Sequence, residues 1–526
     1  SVFYMAQNIF GYRDAVVEEY RRFSRSFTKF RASDIKSVVD AEYDNGRYWP
    51  DPLIQINPNY QTNGTIDDLC QNGTLDYECS KIFKVKKDEN GNNGKVMTLY
   101  QHQTQAISLA AQNQSYVVTT GTGSGKSLSF FIPVVDAILR ARHTDNTAKT
   151  SAIIIYPMNA LANSQLEEIN KFLRGYAPNA MPFTVARYTG QESEEERKKI
   201  ASNPPDILLT NYMMLELILT RGTDVDKAVM EHCGGLRFLV LDELHTYRGR
   251  QGADVSLLVR RLRRETKAEG LVCIGTSATM DNTGTEQHQI ETVAKVASKL
   301  FGTSIAPVNV ITETLAQATD AHLNLDKVKP LLNRRLQQGV KAYVSVEDFR
   351  KDPLSVWVEL TLGIDKPVAT KAKRAKPMTL KNAVLKLASD GNVSVEQAQK
   401  VLEDYLLVAH SLEDENGRKP FAFKLHQFIS GPGNVLCTLE EEGKRQVTLD
   451  AQVYAPGREN EKVRLFNAYF CRECGQEFFP ARYNEEAKVW EPRNISEMPT
   501  DENYEYNGFL VPSKFDSDYN YQGQAA

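Results

Sequence analysis

The sequence predicts an α/β fold, a parallel sheet with flanking helices, from three observations. An apolar strand runs into a glycine-rich loop closed by Lys-Ser. A second apolar run ends in Asp-Glu. Short apolar runs alternate with helical stretches across the region that holds both. The first feature is YVVTTGTGSGKS, from Tyr116 to Ser127. Val117 and Val118 continue the strand, and Gly121, Gly123 and Gly125 let backbone N–H groups converge on an anion. Lys126 brings a positive charge to β- and γ-phosphates, and Ser127 a hydroxyl for Mg²⁺. Leu128 to Arg140 reads as a helix whose positive end points at the same phosphates. The candidate cradle is therefore Thr120, Gly121, Thr122, Gly123, Ser124, Gly125, Lys126 and Ser127, with Thr120 standing where the strict pattern has Gly.

The second feature is FLVL, Phe238 to Leu241, followed by Asp242, Glu243, Leu244 and His245. Acidic residues at the carboxyl end of a buried parallel strand face the crevice where ligands bind in open α/β sheets. Asp242 is placed to hold Mg²⁺, and Glu243 to orient and deprotonate an attacking water. A lone Asp-Glu pair would read as a solvated turn; beside a complete phosphate loop it reads as a site.

The alternation supplies the sheet. Tyr116–Thr119, Ala152–Tyr156, Thr184–Tyr188, Ile207–Thr210, Phe238–Leu241 and Val272–Gly275 are the expected strands, most followed by a helical stretch, which implies right-handed crossovers. Around this core we divide the chain into a helical and loop-rich N-terminal region (1–98), the nucleotide-binding lobe (99–304), a mainly helical accessory region (305–419), a β-rich region (420–495) and a polar tail (496–526). The accessory part is thus α+β. A basic stretch from Lys371 to Lys376, KAKRAK, reads as a flexible linker, with a DNA contact near a single-strand path as the alternative, and Glu192–Glu196 as a solvated helix start.

Composition narrows the class. A chain of 526 residues exceeds one compact core. Hydrophobic residues at 41% and charged residues at 25% are ordinary for a globular protein, and no apolar run is long enough to span a bilayer. We expect a cytoplasmic protein with no membrane partner. Seven cysteines, mostly scattered, imply no disulfide framework. A net charge of −4 argues against bulk-charge attachment to nucleic acid, though N–H groups and hydroxyls can still grip a backbone.

The motif order resembles the first RecA-like lobe of a superfamily 2 DExH-box DNA helicase, over roughly residues 99 to 285. LYQHQ is similar to the adenine-reading motif, which would place Tyr100 against the base and Gln103 on its edge. TGTGSGKS is similar to the family's phosphate loop, in which Thr or Ala replaces the first Gly. PMNALANSQ resembles motif Ia, YTGQ motif Ib and LLTNYMMLE the next strand-binding segment; DELH is motif II, and Ser277-Ala278-Thr279 matches motif III. The stretch DELHTYRGRQGADVSLLVRRLRR resembles the mitomycin-repair helicase subgroup, and NIFGYRD through WPDPLIQINP the large helicases of anti-phage Druantia and DISARM systems. The resemblance implies ATP and Mg²⁺ as cofactors, a DNA substrate that is single-stranded or carries a single-stranded end, coupling through His245, Ser277 and Thr279, and defence-system partner proteins. Asn159, Thr189, Gly190, Thr210 and Asn211 are the expected DNA contacts; at strand ends, their N–H groups and hydroxyls can take phosphates without reading sequence. The same residues could simply cap the following helices. Arg260, Arg263 and Arg264 share a helix face that is either a DNA patch or a salt-bridged surface.

Two elements are incomplete. A motor of this type needs a second RecA-like lobe, whose cationic finger accounts for roughly 10³–10⁵ in rate. Residues 281–526 hold no such motif, so a second lobe is expected in the same or another chain, and the polar stretch ending at Ala526 reads as the end of a fragment. Cys471-Arg-Glu-Cys474-Gly475 is half a zinc knuckle, with Cys437 the leading third ligand for Zn²⁺ and His426 and His410 as others, or else a degenerate knuckle whose cysteines merely pack in a β-turn. Two rival readings share these motifs: a DNA-clamping scaffold for a partner nuclease, and an RNA-remodelling helicase.

Overall fold

Seven strands form one parallel sheet at the centre of the molecule. They are β1 (Tyr116–Thr119), β2 (Ala152–Tyr156), β3 (Val185–Tyr188), β4 (Ile207–Asn211), β5 (Phe238–Leu241), β6 (Val272–Ser277) and β7 (Val310–Thr312). The order across the sheet is β7-β1-β6-β5-β2-β4-β3, every neighbouring pair parallel. In this computed structural model the described residues are 8–26, 29–121, 123–278, 285–365, 372–414, 419–431, 433–496 and 506–512.

The helices are α1 (Gln101–Ala111), ahead of β1, then α2 (Leu128–Arg142), α3 (Asn159–Phe172), α4 (Glu194–Ser202), α5 (Tyr212–Arg221), α6 (Asp224–Glu231), α7 (Gly249–Glu265) and α8 (Glu286–Phe301). They cover both faces because the strands are apolar on both. Successive strand residues point to opposite sides. Val118, Ile154, Leu209, Val240 and Ile274 accordingly enter one core with α2, while Val117, Ile153, Ile155, Leu239 and Cys273 enter the other with α7. Each such side chain, fully buried, contributes about 1.5–3 kcal/mol. All residues of β1, β2, β5 and β6 are buried.

The seventh strand was not expected. Val310–Thr312 pairs with β1 although it lies beyond residue 304, where the sequence reads as accessory. Three residues at a sheet edge carry too little periodicity to register.

Residues before 99 are shared among several cores. Ile66, Cys70, Cys79, Ile82 and Phe83 pack into the motor core under α2. Phe10, Ile54 and Ile56 pack with the helices Leu325–Gln337, Pro353–Val358, Leu380–Gly391 and Val395–His410. Ile35, Val39 and Tyr43 of the helix Ser33–Asp44 pack on the β-rich region at Val435, Phe466 and Phe479. The strand Leu53–Asn57 also pairs antiparallel with Ala422–His426, drawing the N-terminal segment into the accessory part. No helix among the described residues is long and apolar enough to cross a membrane.

Candidate active site

Each functional segment follows a strand at its carboxyl end. The phosphate loop leaves β1, and its geometry explains its residues. Gly125 has φ +67, and a Cβ there would press on the Gln103 amide. Thr120, in the position expected for Gly, is buried, and its hydroxyl meets that of Ser124 at 2.6 Å, bracing the loop from within. The α1 residues lean on the same loop: His102 Nε2 lies 2.8 Å from the Ser124 carbonyl, and Gln103 Nε2 donates to the Gly125 carbonyl at 3.0 Å. Burial holds the His102 imidazole below its ordinary pKa, so the neutral ring donates from Nε2. Gln103 Oε1 accepts from the Tyr100 N–H at 2.9 Å, and the Tyr100 ring lies 5.2 Å from that of Tyr60. A cavity of about 600 Å³ opens against both tyrosines, walled also by Gln317, Arg350 and Lys419.

Parallel pairing of β5 with β6 sets Leu241 opposite Gly275, which brings the next residues, Asp242 and Thr276, together. The Thr276 hydroxyl donates to Asp242 Oδ1 and accepts from the Glu243 N–H at 3.1 Å. Glu243 has φ +53, a left-handed conformation that is costly without a glycine. That turn places Glu243 Oε1 3.6 Å from Lys126 Nζ and Oε2 3.3 Å from His245 Nδ1. Ser277 Oγ is 3.4 Å from His245 Nδ1, so the motif II histidine lies between the acid and the motif III serine. Among the described residues, Lys126 Nζ and Glu243 Oε2 are buried without a hydrogen-bond partner. A buried ammonium beside two carboxylates fits a polyphosphate and its divalent metal. Lys126 would take the phosphates; Ser127 and Asp242 would hold the metal. Thr122 and Thr279 lie outside the described residues.

The candidate strand-binding residues are also gathered, at the ends of β2, β3 and β4, but their groups are taken. Glu192, read from sequence as part of a solvated helix start, is 6% exposed. Its carboxylate accepts from the Thr189 N–H at 2.6 Å, the Gly190 N–H at 2.9 Å and the Thr189 hydroxyl at 3.1 Å. Arg187 Nε donates to it at 2.6 Å. Burial alone would raise the Glu192 carboxyl; these donors bring it below its ordinary value. The Thr210 hydroxyl donates to the Tyr188 carbonyl at 2.6 Å, and Asn211 caps α5 through the Met214 N–H while donating to Asn159 Oδ1 at 2.6 Å. Of these residues only Asn211 caps a helix; Thr189, Gly190 and Thr210 are held by neighbouring groups of the strand ends.

The arginine face of α7 turns to α8. Arg260 and Arg263 donate to the carbonyls of Lys299, Phe301 and Gly302 at the end of that helix, and Arg261 pairs with Glu216 at 2.6 Å. Zinc at the cysteine pair is not shown. Among the described residues no group of three His, Cys, Asp or Glu is placed to hold a metal. Cys437 is buried in a strand opposite Phe466, about 17 Å along from Cys471 at ~3.4 Å per residue, and burial pushes its thiol up to about 12. Cys471 and Cys474 form a turn whose Gly475 docks on the backbone at Lys29 and Arg31.

Sequence reasoning missed Thr276, Glu192, Glu313 and Arg374. Thr276 was recoverable, since it precedes the Ser-Ala-Thr motif on the strand beside the acidic one. Arg374 was not: it arrives from the KAKRAK stretch, yet its guanidinium packs against Gly121 of the phosphate loop.

The family comparison agrees with this geometry. The DEAD/DEAH box helicase family matches residues 100–287. The uncharacterized ATP-dependent helicase YprA of Bacillus subtilis is 34% identical over 186 residues, 35% of this chain and 23% of that protein. The Druantia protein DruE of Escherichia coli is 26% identical, covering 34% of this chain and 16% of its own length. The crystal structure of the DUF1998 helicase MrfA bound to DNA overlaps 55% of this chain and 36% of that one, at 22% identity and a TM-score of 0.38. This chain spans less than a quarter of either curated relative. It carries, over residues 100–287, a DEAD/DEAH box helicase domain.

Proposed function

We propose that this chain is the first motor lobe, with accessory regions, of an ATP-dependent DNA helicase or translocase that acts in the cytoplasm in bacterial anti-phage defence or DNA repair. The observation that carries the reading is the buried Lys126 ammonium, 3.6 Å from Glu243 and without a hydrogen-bond partner among the described residues. Mg²⁺, when bound, would supply positive charge against the charge that develops on the phosphates. Lys126 would hold the phosphates, and Ser127 and Asp242 would hold the metal. Glu243 orients the attacking water and takes its proton, and His245 keeps the Glu243 carboxylate turned toward the site. Ser277 and Thr279 couple hydrolysis to the strand-binding loops, where Asn159, Thr189, Gly190, Thr210 and Asn211 meet the backbone of DNA that is single-stranded or has a single-stranded end. A second RecA-like lobe, in this gene product or another, supplies the finger cation, and defence-system proteins are the expected partners.

An RNA substrate has one observation in its favour: the ATP-dependent RNA helicase DBP9 of Gibberella zeae is 30% identical over 142 residues. The test is ATP hydrolysis by this chain and by its full-length gene product, with and without single-stranded DNA and RNA of one sequence. Stimulation of the full-length protein by DNA supports the reading. Stimulation by RNA alone replaces it, and binding of DNA without stimulation favours a scaffold that clamps nucleic acid for a nuclease.

A further inference from the structure

Arg374 joins the accessory region to the nucleotide site. It lies on a short hairpin in which Ile364 pairs with Arg374 and Asp365 with Lys373. Its guanidinium forks onto Glu313, Nε to Oε1 at 2.7 Å and NH2 to Oε2 at 2.9 Å. Glu313 follows β7, the strand beside β1, and the same Oε2 accepts the Gly121 N–H at 2.9 Å. NH2 also donates to the Tyr60 hydroxyl at 2.6 Å, and Tyr60 lies against both Tyr100 and His102. The space over Gly121 belongs to the guanidinium: a Cβ there would collide with it. One cation from the accessory region thus reaches the phosphate loop, the end of β7 and, through Tyr60, the motif expected to read adenine.

A partly buried ion pair adds little net stability, because the desolvation of both charges offsets their attraction. Its bidentate fork does confer geometry, which an ammonium cannot reproduce. We propose that Arg374 is a positioning residue for ATP: with Glu313 it clamps the phosphate loop at Gly121, so that ATP affinity depends on the docking of the accessory hairpin. Coupling of this kind is reciprocal, and bound nucleotide must stabilise the hairpin in turn.

The inference rests on the ATP-binding reading, and the test separates the two. A fluorescent ATP analogue with Mg²⁺ is titrated into the full chain and its Arg374→Ala, Arg374→Lys and Glu313→Gln variants, alongside melting without nucleotide. Arg374→Ala and Glu313→Gln should each weaken binding about tenfold, within the usual span of coupling energies. The double variant should be no worse than either single one, with the apo melting temperature little changed. Arg374→Lys should recover only part of the affinity. Should Arg374→Ala fail to fold, hydrogen exchange on the wild-type chain decides: ATP must slow exchange at Lys373–Arg374. Wild-type binding with variants within twofold of it, or exchange indifferent to ATP, overturns the inference alone. A wild-type chain that binds no ATP overturns both readings.

Discussion

The nucleotide residues and the strand-binding residues sit at the carboxyl ends of one sheet, yet the fold leaves them in opposite states. At the ends of β1, β5 and β6, Lys126 Nζ and Glu243 Oε2 are buried without hydrogen-bond partners among the described residues, and Glu243 is held in a left-handed backbone conformation. At the ends of β2, β3 and β4, the Thr189 and Gly190 N–H groups, the Thr210 hydroxyl and the Asn211 amide all have partners within the chain. Unsatisfied buried polar groups are expensive, and persist where the surrounding structure over-determines them. The nucleotide edge is thus preorganised for a charged ligand. The strand edge must exchange internal bonds for phosphate bonds, which makes its affinity the more open to modulation.

Breaking the preorganised edge has the largest effect. Lys126→Ala should abolish hydrolysis and weaken ATP binding about a hundredfold, the scale of losing one preorganised charged donor. Equilibrium titration measures it, and affinity within a few-fold of wild type would remove Lys126 from the site. Glu243→Gln comes next. It keeps the shape and removes the base, so ATP should still bind while single-turnover hydrolysis falls by about 10²–10⁴. Unchanged turnover would assign the water to another group.

The contrast also explains what could be read from sequence. The phosphate loop and the Asp-Glu turn are legible because their chemistry needs fixed residues at fixed spacing, and the sheet because strands buried on both faces are apolar throughout. The residues that tie distant segments to the site are not. Glu192 looks like any acid before a helix, and only the fold turns it back on Thr189 and Gly190. Arg374 sits in a basic stretch with no periodicity, 253 positions after the glycine it covers, counting from 121 to 374. A zinc site finds no support for a related reason: spacing supplied two cysteines, but strand register carries Cys437 away from them.

Glu192 tests the strand edge directly. A carboxylate is roughly twice as strong an acceptor as a neutral amide. Glu192→Gln therefore loosens its hold on the Thr189 and Gly190 N–H groups by about 1 kcal/mol, and single-stranded DNA should bind about fivefold tighter at constant salt. Weaker binding would mean that DNA reads the loop in the shape Glu192 gives it, and that this edge is preorganised too.

The smallest shift expected is in melting temperature, at Asp242, where stability and function part. Burial is the largest influence on its carboxyl and pushes it up; the Thr276 hydroxyl and Lys126 pull it down, Glu243 pushes it up again, and the net shift is upward. A folded-state pKa above the unfolded one means that the fold favours the protonated acid. That stability is complete below the ordinary carboxylate range and is lost as pH rises through the raised value, so the ionised acid strains the apo protein at neutral pH. Asp242→Asn removes the charge and keeps an oxygen for the Thr276 hydroxyl. It should melt a few degrees higher than wild type at pH 7 without nucleotide, at about 2–4 °C per kcal/mol for a domain of this size. The gain should shrink as the pH is lowered and wild-type Asp242 takes up its proton, while Mg²⁺-dependent hydrolysis is lost at every pH. A gain that persists in acid would trace the strain to packing at Thr276 and not to charge, and a variant that melts lower would show that the Asp242 carboxylate braces the fold around it.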